Sequence, residues 1–267
     1  MTVLENMEYM EDELKRVGKF AEVNEEYNVA APYIKAALRF FEPVTECPMC
    51  GEVELVEGGP VDLVWKYFKC SCGLMFQTHY MPKDKLEWYY QDIYRLCVRP
   101  FNKEVADEAV FGETDSGIKY LVRSGAVPKR HLDIGSSTGS FLRVMNVAYQ
   151  CDFVGVEPGD KYRQYSNLRG IPTFKDISEV GGTFDFISMA HVLEHLINPM
   201  EMLAAIRELL TDDGRLFVEV PKVNFAFSHP LVFEDGMLMK MLETAGFDVM
   251  ENVAEKKFEY ANAVKYD

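Results

Sequence analysis

The sequence has no long apolar run and few basic residues. No stretch of its 267 residues approaches the ~20 consecutive apolar side chains that a transmembrane helix needs. The acidic N-terminus lacks the basic and then apolar pattern of a secretory signal. Lys and Arg number 28 against 43 Asp and Glu, a formal net charge of −15, which disfavours binding to a phosphate backbone. We therefore expect a soluble cytoplasmic protein without a membrane partner, and the charge disfavours a nucleic-acid partner without excluding one.

Cysteine is also scarce, at six residues, yet four of the six form two close pairs. Cys47 and Cys50 lie in C-P-M-C, and Cys70 and Cys72 lie in C-S-C. Two close pairs separated by a hairpin-length insert have the ligand spacing of a zinc ribbon, in which four thiolates close a tetrahedral structural site. So small a segment has little core, so bound Zn²⁺ would supply its folding energy. The alternatives are free buried thiols and disulfides, and disulfides are disfavoured in a cytosolic chain.

The most informative stretch is H-L-D-I-G-S-S-T-G-S-F-L, residues 131–142. It predicts a short buried strand, a glycine-bearing turn and the first turn of a helix. Gly135 and Gly139 allow the backbone to approach a ligand closely because they carry no Cβ. The helix that follows offers unpaired N–H groups and a partial positive charge. The stretch therefore predicts a mononucleotide-type pocket at the carboxyl edge of a parallel sheet.

Three types of site can follow a strand and a glycine-bearing turn, and each has its own sequence pattern. A dinucleotide fingerprint, G-x-G-x-x-G, fails because Ser137 and Ser140 occupy its second and third glycine positions. A nucleophile elbow, G-x-S-x-G, fits with Ser137 as the nucleophile of an α/β hydrolase, but no HGGG-type oxyanion segment precedes it. The third pattern is D-x-G-x-x-x-G, which begins at Asp133.

An acidic residue ends the next apolar run. Phe153–Pro158 predicts a second strand, and Glu157 stands near its tip, 18 residues after Gly139. A carboxylate in this place can accept hydrogen bonds from both hydroxyl groups of a ribose. The spacing is close to the ~20 residues expected in nucleotide-binding folds.

The remaining chain alternates strands and helices. Pro172–Lys175 predicts a short third strand and Phe184–Ala190 a fourth, and Asn198 is expected to cap a helix that starts at Pro199. Arg215–Pro221 predicts the fifth strand. A helix over 233–245 and two antiparallel strands over 247–255 and 258–264 are then expected to complete an α/β fold.

In residues 130–221 the sequence resembles class I S-adenosylmethionine (SAM)-dependent methyltransferases. The resemblance rests on D-x-G-x-x-x-G, on the acid after strand two, and on residues 184–221, which closely resemble the family block "FDxI…VLEHLxxP…L…LxxGGxLxxxVP" with Asp213 in place of its first glycine. It implies a Rossmann-like sheet, mostly parallel with an antiparallel last strand, and SAM as the cofactor. The cofactor-binding residues that it implies are Asp133, Gly135, Ser136, Gly139, Glu157, Pro158, Asp176, Ile177, Ala190 and His191.

The N-terminal part of the sequence is similar to a narrower group of these methyltransferases. A zinc ribbon ending in Cys-Gly-Leu, followed by Leu-x-x-Tyr-Tyr, is similar to bacterial sugar and surface-polysaccharide methyltransferases and to the N-terminal part of deoxysugar C-methyltransferases. This implies a small-molecule acceptor, a nucleotide-linked sugar, with Tyr89 and Tyr90 in contact with it. The resemblance to the deoxysugar C-methyltransferases does not extend to their extra C-terminal domain within these 267 residues, so we expect either a carbon or an oxygen acceptor.

An alcohol or a ketone α-carbon must lose a proton before it accepts a methyl group, and His is suited to that role. His229 lies just beyond strand five and is our first candidate for the base, with His195 and Glu194 next. His191, Glu194 and His195 also match the H-x-x-E-H pattern of some metalloproteases. The methyltransferase block explains Glu194 and His195 without a metal, although a divalent ion on this segment is an alternative.

These expectations divide the chain into four parts. They are an N-terminal helical segment (1–42), a zinc ribbon (43–80), an aromatic helical connector or substrate lid (81–115) and a SAM-dependent methyltransferase domain (116–267). The main rival function is a nucleic-acid or protein methyltransferase that binds its substrate through the ribbon. A non-catalytic SAM-binding scaffold is a second rival.

Overall fold

The computed structural model describes residues 3–23, 25–60, 65–82, 85, 88, 126–255 and 257–266. Tyr89 and Tyr90 lie outside these ranges, so their predicted contact with the acceptor stays a prediction. The chain forms two compact units. Unit 1 comprises Met1–Pro100, Glu194–Ile197 and Val223–Phe233, and unit 2 comprises the rest. Within the described ranges, no helix has both the length and the apolarity to cross a membrane.

The helices and strands are numbered here in chain order. Within the described ranges the α-helices are α1 (Val3–Val23), α2 (Glu25–Leu38), α3 (Ser140–Tyr149), α4 (Asp160–Leu168), α5 (Pro199–Leu209) and α6 (Met237–Thr244). The first strands are β1 (Glu42–Pro43), β2 (Val56–Gly58), β3 (Tyr67–Lys69), β4 (Met75–Gln77) and β5 (His79–Tyr80). The others are β6 (Arg130–Ile134), β7 (Asp152–Val156), β8 (Thr173–Phe174), β9 (Phe184–Ala190), β10 (Leu210–Pro221), β11 (Leu231–Val232), β12 (Phe247–Ala254) and β13 (Phe258–Lys265).

Unit 1 combines the two N-terminal helices with short antiparallel strands. Its larger sheet has the order β11-β4-β3-β2, and β1 pairs with β5. Strand β11 comes from a part of the chain more than 150 residues after β4, and it pairs with Met75 and Phe76. Apolar side chains from α1, α2, β3, β4 and β11 pack into one core, whose most buried members include Val17, Leu38 and Tyr67. Burial of this apolar surface joins the distant segment to the N-terminal part.

Unit 2 is built on a seven-stranded sheet of order β12-β13-β10-β9-β6-β7-β8. The five strands from β10 to β8 are parallel to their neighbours, β13 is antiparallel to β10, and β12 is antiparallel to β13. Nearly every residue of β6 and β9 is buried, as expected of central strands covered on both faces. This mixed α/β architecture, parallel except at one edge, confirms the fold class that the sequence predicts.

The structure differs from the predicted elements at two boundaries. The helix predicted over 233–245 begins only at Met237, because Gly236 stands at its N-cap with a left-handed φ of +79°. Strand β10 begins at Leu210 rather than at Arg215, with a register shift between these residues. Asn198 does stand at the N-cap of α5, but its side chain makes no capping hydrogen bond.

Candidate active site and metal centre

The turn between β6 and α3 is held in a left-handed conformation at three positions. The φ angles of Gly135, Ser137 and Gly139 are +75°, +50° and +72°. Only glycine adopts such values without strain, and a Cβ on Gly135 would also lie 2.3 Å from Cγ2 of Val192. The N–H groups of Gly135 and Ser136 both donate to the carbonyl of Val156, at 2.8 and 3.0 Å. The turn is therefore fixed onto the end of β7.

Glu157 follows β7 and fastens the same turn. Its side chain is almost fully buried, with 1% of the residue exposed. One carboxylate oxygen accepts the N–H of Ser137 at 3.1 Å, and the other accepts the N–H of Gly159 at 2.7 Å. Arg163 donates to the carbonyls of Glu157 and Pro158, each at 3.0 Å. This acid is thus both a carboxylate at a strand tip and a clamp on the glycine turn.

A chain of buried polar groups lies beneath the turn. Ser188 donates its hydroxyl proton to Oδ1 of Asp133 at 2.6 Å, and its oxygen accepts the Nε2–H of His131 at 2.7 Å. Strand register explains the contact, because Asp133 on β6 stands directly opposite Ser188 on β9. Burial lowers the pKa of His131 to about 3, so the imidazole is neutral. Its Nδ1 has no hydrogen-bond partner among the described residues.

The pair Asp133 and Glu157 determines which ligand this edge favours. Burial raises the pKa of Asp133 to about 7; the hydrogen bond from Ser188 lowers it, and the neighbouring Glu157 raises it further. Two buried carboxylates at neighbouring parallel strands are best stabilised by a positively charged group. Carboxylates also accept hydrogen bonds from hydroxyl groups. SAM carries a cationic sulfonium, an ammonium and a ribose, so the residues present fit this cofactor.

The other predicted cofactor residues have varied surroundings. The side chain of Ser136 packs over Gly155, where an added Cβ would lie 2.5 Å from its hydroxyl oxygen. Asp176 accepts the N–H of Ser178 at 2.9 Å and so caps the short turn Ile177–Glu179. Ala190 ends β9, and the following His191 has a φ of +55°. Their predicted contacts with SAM stay predictions.

His191 does not join a metal set of the H-x-x-E-H type. Its Nε2 lies 3.1 Å from Oε1 of Glu219, and its ring packs edge-on against Phe258. The residues Leu193–His195 form a 3₁₀ turn instead of the longer helix that the pattern requires. The left-handed His191 stands before this turn, so one helical face cannot hold both histidines of the pattern.

The four cysteines of the predicted ribbon converge. The Sγ atoms of Cys47 and Cys72 are 3.7 Å apart, and those of Cys50 and Cys70 are 3.5 Å apart. All four lie within 4.8 Å of one another. Sulfurs bound tetrahedrally at ~2.3 Å from Zn²⁺ would be separated by ~3.8 Å. The cluster therefore has the dimensions of a structural zinc site.

A second cluster brings together the three predicted catalytic residues. Ligand atoms of Glu194, His195 and His229 all lie within 4.8 Å of one another, in unit 1. The two imidazole rings meet edge to face, with centroids 4.8 Å apart and an angle of 75° between planes. Oε1 of Glu194 lies 3.7 Å from Nε2 of His195. Glu194 and His195 are adjacent in the sequence, and nothing in the sequence pattern indicates that His229 lies beside them.

A comparison with known families decides the identity of this fold. A family model described as a methyltransferase domain matches residues 106–253, which is more than half of the chain. This chain belongs to the methyltransferase family. The match includes the glycine turn, Glu157 and the whole parallel part of the sheet. The methyltransferase therefore has the Rossmann-like class I fold that the sequence resemblance implies.

Among characterised relatives, the methyltransferase is 29% identical over 148 residues to a tRNA U34 carboxymethyltransferase of Desulforapulum autotrophicum. The match covers 49% of this chain and 45% of the relative, so the chain spans under half of that protein's length.

Two solved structures share the fold. A magnesium protoporphyrin IX methyltransferase of Synechocystis is 16% identical, with a TM-score of 0.52 over 69% of this chain and 100% of that one. A phosphoethanolamine N-methyltransferase of Haemonchus contortus is 14% identical, with a TM-score of 0.55 over 67% of this chain and 60% of that one.

Sequence reasoning missed the buried partners of Asp133. His131 and Ser188 lie within predicted strands, where polar residues stand out against apolar neighbours. That contrast is a usable signal, because a buried polar side chain needs a hydrogen-bond partner. This signal identifies polar residues that need a hydrogen-bond partner, but it does not say which residues of two strands stand opposite one another.

Proposed function

We propose that this methyltransferase transfers a methyl group from SAM to a small-molecule acceptor, a nucleotide-linked sugar being the first candidate. The observation that carries the proposal is the glycine turn clamped by Glu157 within a chain of the methyltransferase family. SAM supplies, when bound, a methyl group on an activated sulfonium sulfur. The work of the chain is then to bind, align and desolvate the reactants.

The cofactor would lie at the carboxyl edge of β6, β7 and β9. Asp133 and Glu157 are the side chains that we propose for the cationic groups and for the ribose. The glycines at 135 and 139 let the backbone approach it. Asp176 and Ile177 follow β8 at the same edge of the sheet, where we propose that they contact the adenine.

Removal of a proton from the acceptor is assigned to the cluster of Glu194, His195 and His229. Both histidines donate their Nδ1–H to backbone carbonyls, His195 to Ser228 at 2.6 Å and His229 to Asn224 at 3.2 Å. Each imidazole therefore has its lone pair on Nε2, the atom that would accept a proton. His229 remains our first candidate for the base, with His195 next and Glu194 as their neighbour.

The cysteine cluster is proposed to hold one structural Zn²⁺. Its four-sulfur coordination leaves no open position for chemistry, so the ion would stabilise the small N-terminal sheet. We keep the predicted division into segments 1–42, 43–80, 81–115 and 116–267 as a proposal. The segment 81–115, which includes Tyr89 and Tyr90, is proposed to cover the acceptor.

A direct test measures cofactor binding and turnover separately. Calorimetry of the purified chain with SAM should give binding, and a panel of nucleotide-linked sugars should yield S-adenosylhomocysteine together with a methylated sugar in mass spectra. Glu157→Gln is the matched control, because it keeps the side-chain shape and removes the charge. Absence of SAM binding in the native chain would refute the proposal.

A second acceptor class has one specific observation in its favour, the 29% identity to a tRNA U34 carboxymethyltransferase. Unfractionated tRNA therefore belongs in the same panel. The net charge of −15 argues against it, because the electrostatic part of binding to a phosphate backbone comes from Lys and Arg. If tRNA bound this chain, its affinity should fall steeply with salt. Methyl transfer to tRNA and to none of the sugars would replace the first proposal with this one.

A further inference from the structure

We propose that Glu194, His195 and His229 form a second metal site, which binds a divalent first-row transition metal ion such as Zn²⁺. We also infer that an ion bound there prevents these histidines from accepting a proton. The first statement rests on the geometry of unit 1 alone. The second rests on the proposed function, because it concerns the base step of methyl transfer.

The ligand atoms are already close to the separation that an ion requires. Two ligands bound tetrahedrally at ~2.1 Å from Zn²⁺ are ~3.4 Å apart. Oε1 of Glu194 and Nε2 of His195 are separated by 3.7 Å. All three ligand groups lie within 4.8 Å of one another, so side-chain rotations of modest size would bring them to one centre. Two imidazoles and one carboxylate are the protein ligands of several zinc and non-haem iron sites.

The hydrogen bonds of the two rings are those expected of metal ligands. A histidine that binds a metal through one nitrogen usually donates its other N–H to a carbonyl or carboxylate. His195 donates Nδ1–H to Ser228 at 2.6 Å, and His229 donates Nδ1–H to Asn224 at 3.2 Å. Because a carbonyl only accepts, each ring must be protonated at Nδ1. Each Nε2 is therefore the ring nitrogen through which the histidine would bind an ion, without a change of tautomer.

The segment that carries His229 is fixed by backbone contacts. The buried Gln77 donates Nε2–H to the carbonyls of Ala226 and Phe227, each at 3.1 Å. The N–H of Gln77 donates to the carbonyl of Pro230 at 2.8 Å. Strand β11, which begins two residues after His229, pairs with β4. His229 is thus held between two attachments to β4, which lowers the entropy that a bound ion would have to offset.

Ligand chemistry selects the class of ion. Mg²⁺ and Ca²⁺ take oxygen ligands in sets of six or more, and this cluster offers one carboxylate and two nitrogens. Imidazole nitrogens suit Zn²⁺, Fe²⁺, Co²⁺ and Ni²⁺. The same two lone pairs would bind the ion or accept a proton from the acceptor. Metal-bound and proton-accepting states of the cluster therefore exclude one another.

The cysteine cluster makes the experiment decisive, because its sulfur ligands give a different spectrum from nitrogen and oxygen ligands. The full chain is stripped of metal with a chelator under reducing conditions and titrated with Co²⁺. We expect two ions per chain, of which one shows thiolate-to-cobalt charge transfer and the other shows only d–d bands. His229→Ala should weaken the second ion by more than about 100-fold, since even an outer-shell partner is worth about 10–100-fold.

His191→Gln is the matched control. It removes the first histidine of the H-x-x-E-H pattern and leaves the three clustered residues intact, so it should keep both ions. One Co²⁺ per chain, bound by thiolates alone, would overturn the site. Loss of the second ion in His191→Gln but not in His229→Ala would also overturn it.

Turnover distinguishes this inference from the proposed function. If the chain with one ion methylates an acceptor, a second equivalent of Zn²⁺ should lower the rate in proportion to the occupancy of the cluster. Unchanged or faster turnover with two ions bound would overturn the inferred block. Absence of any turnover with one ion would count against the proposed function and would leave the metal count to decide the site.

Discussion

Replacement of Glu157 by Ala should reduce both the stability of the fold and the affinity for SAM. The carboxylate is 1% exposed and accepts the N–H groups of Ser137 and Gly159 at 3.1 and 2.7 Å. Hydrogen bonds to a charged group contribute ~1.5–3 kcal/mol each. Loss of both, with the two donors left in a buried turn, should lower the free energy of unfolding by ~3–6 kcal/mol.

Urea unfolding followed by circular dichroism measures this change without any ligand. Asp160→Ala is the control, because the Asp160 side chain lies three residues away and is 49% exposed. Exposed ion pairs contribute ~0–1 kcal/mol, so this variant should stay close to the native chain. A loss below ~1 kcal/mol in Glu157→Ala would refute the clamp.

The milder Glu157→Gln then isolates the cofactor role. It should remain folded at 25 °C, and calorimetry should give weaker SAM binding because an amide cannot neutralise a cation. Unchanged SAM affinity in a folded Glu157→Gln variant would refute the ribose and cation assignment. The structural clamp would still stand in that case, since urea unfolding tests it independently.

Three other predictions follow from the same geometry. Purified chain should contain zinc bound by the four cysteines, and Cys70→Ser should lose it and loosen unit 1, as measured by metal analysis and proteolysis. His229→Ala should slow methyl transfer by roughly 10²–10⁴ with little change in SAM affinity, and normal turnover in this variant with none in His195→Ala would move the base to His195. The pKa of His131 is lowered from 6.5 to about 3, so its neutral ring stabilises the fold above pH 6.5, and this contribution is lost as the pH falls toward 3. Over that window native chain should lose about 1.4 kcal/mol per pH unit more than His131→Leu in urea unfolding, and equal slopes would contradict the burial of a neutral ring.

Local pattern predicted the strands and turns of the parallel part of the fold, and the family resemblance supplied their arrangement in one sheet. The apolar runs that became β6, β7 and β9 each end in a polar residue or a glycine turn, and parallel strands place such ends along one edge. The glycines of 135–139 have the left-handed φ angles that the turn requires. Strands β12 and β13 pair antiparallel as predicted. Each of these features is determined by residues that are close together in the sequence, so one sequence is enough to predict it.

Contacts between distant segments could not be read in the same way. Ser188 meets Asp133 across 55 residues, and His229 meets His195 across a gap that contains α5 and β10. Periodicity states which face of a strand is buried but not which strand lies beside it. The pairing of β11 with β4 is of the same kind. For this reason the catalytic candidates could be predicted from the sequence, but their position beside one another could not.

The segment His191–His195 shows how one backbone angle redirects a motif. H-x-x-E-H gathers two histidines only when the residues between them are helical, because side chains four apart then share a face. At His191 φ is +55°, a value that interrupts any right-handed helix, and the ring turns to Glu219 at 3.1 Å. Glu194 and His195 then lie in a short 3₁₀ turn, and the third member of their cluster is His229. The residue that completes the cluster with Glu194 and His195 therefore stands 34 positions after His195, outside the motif.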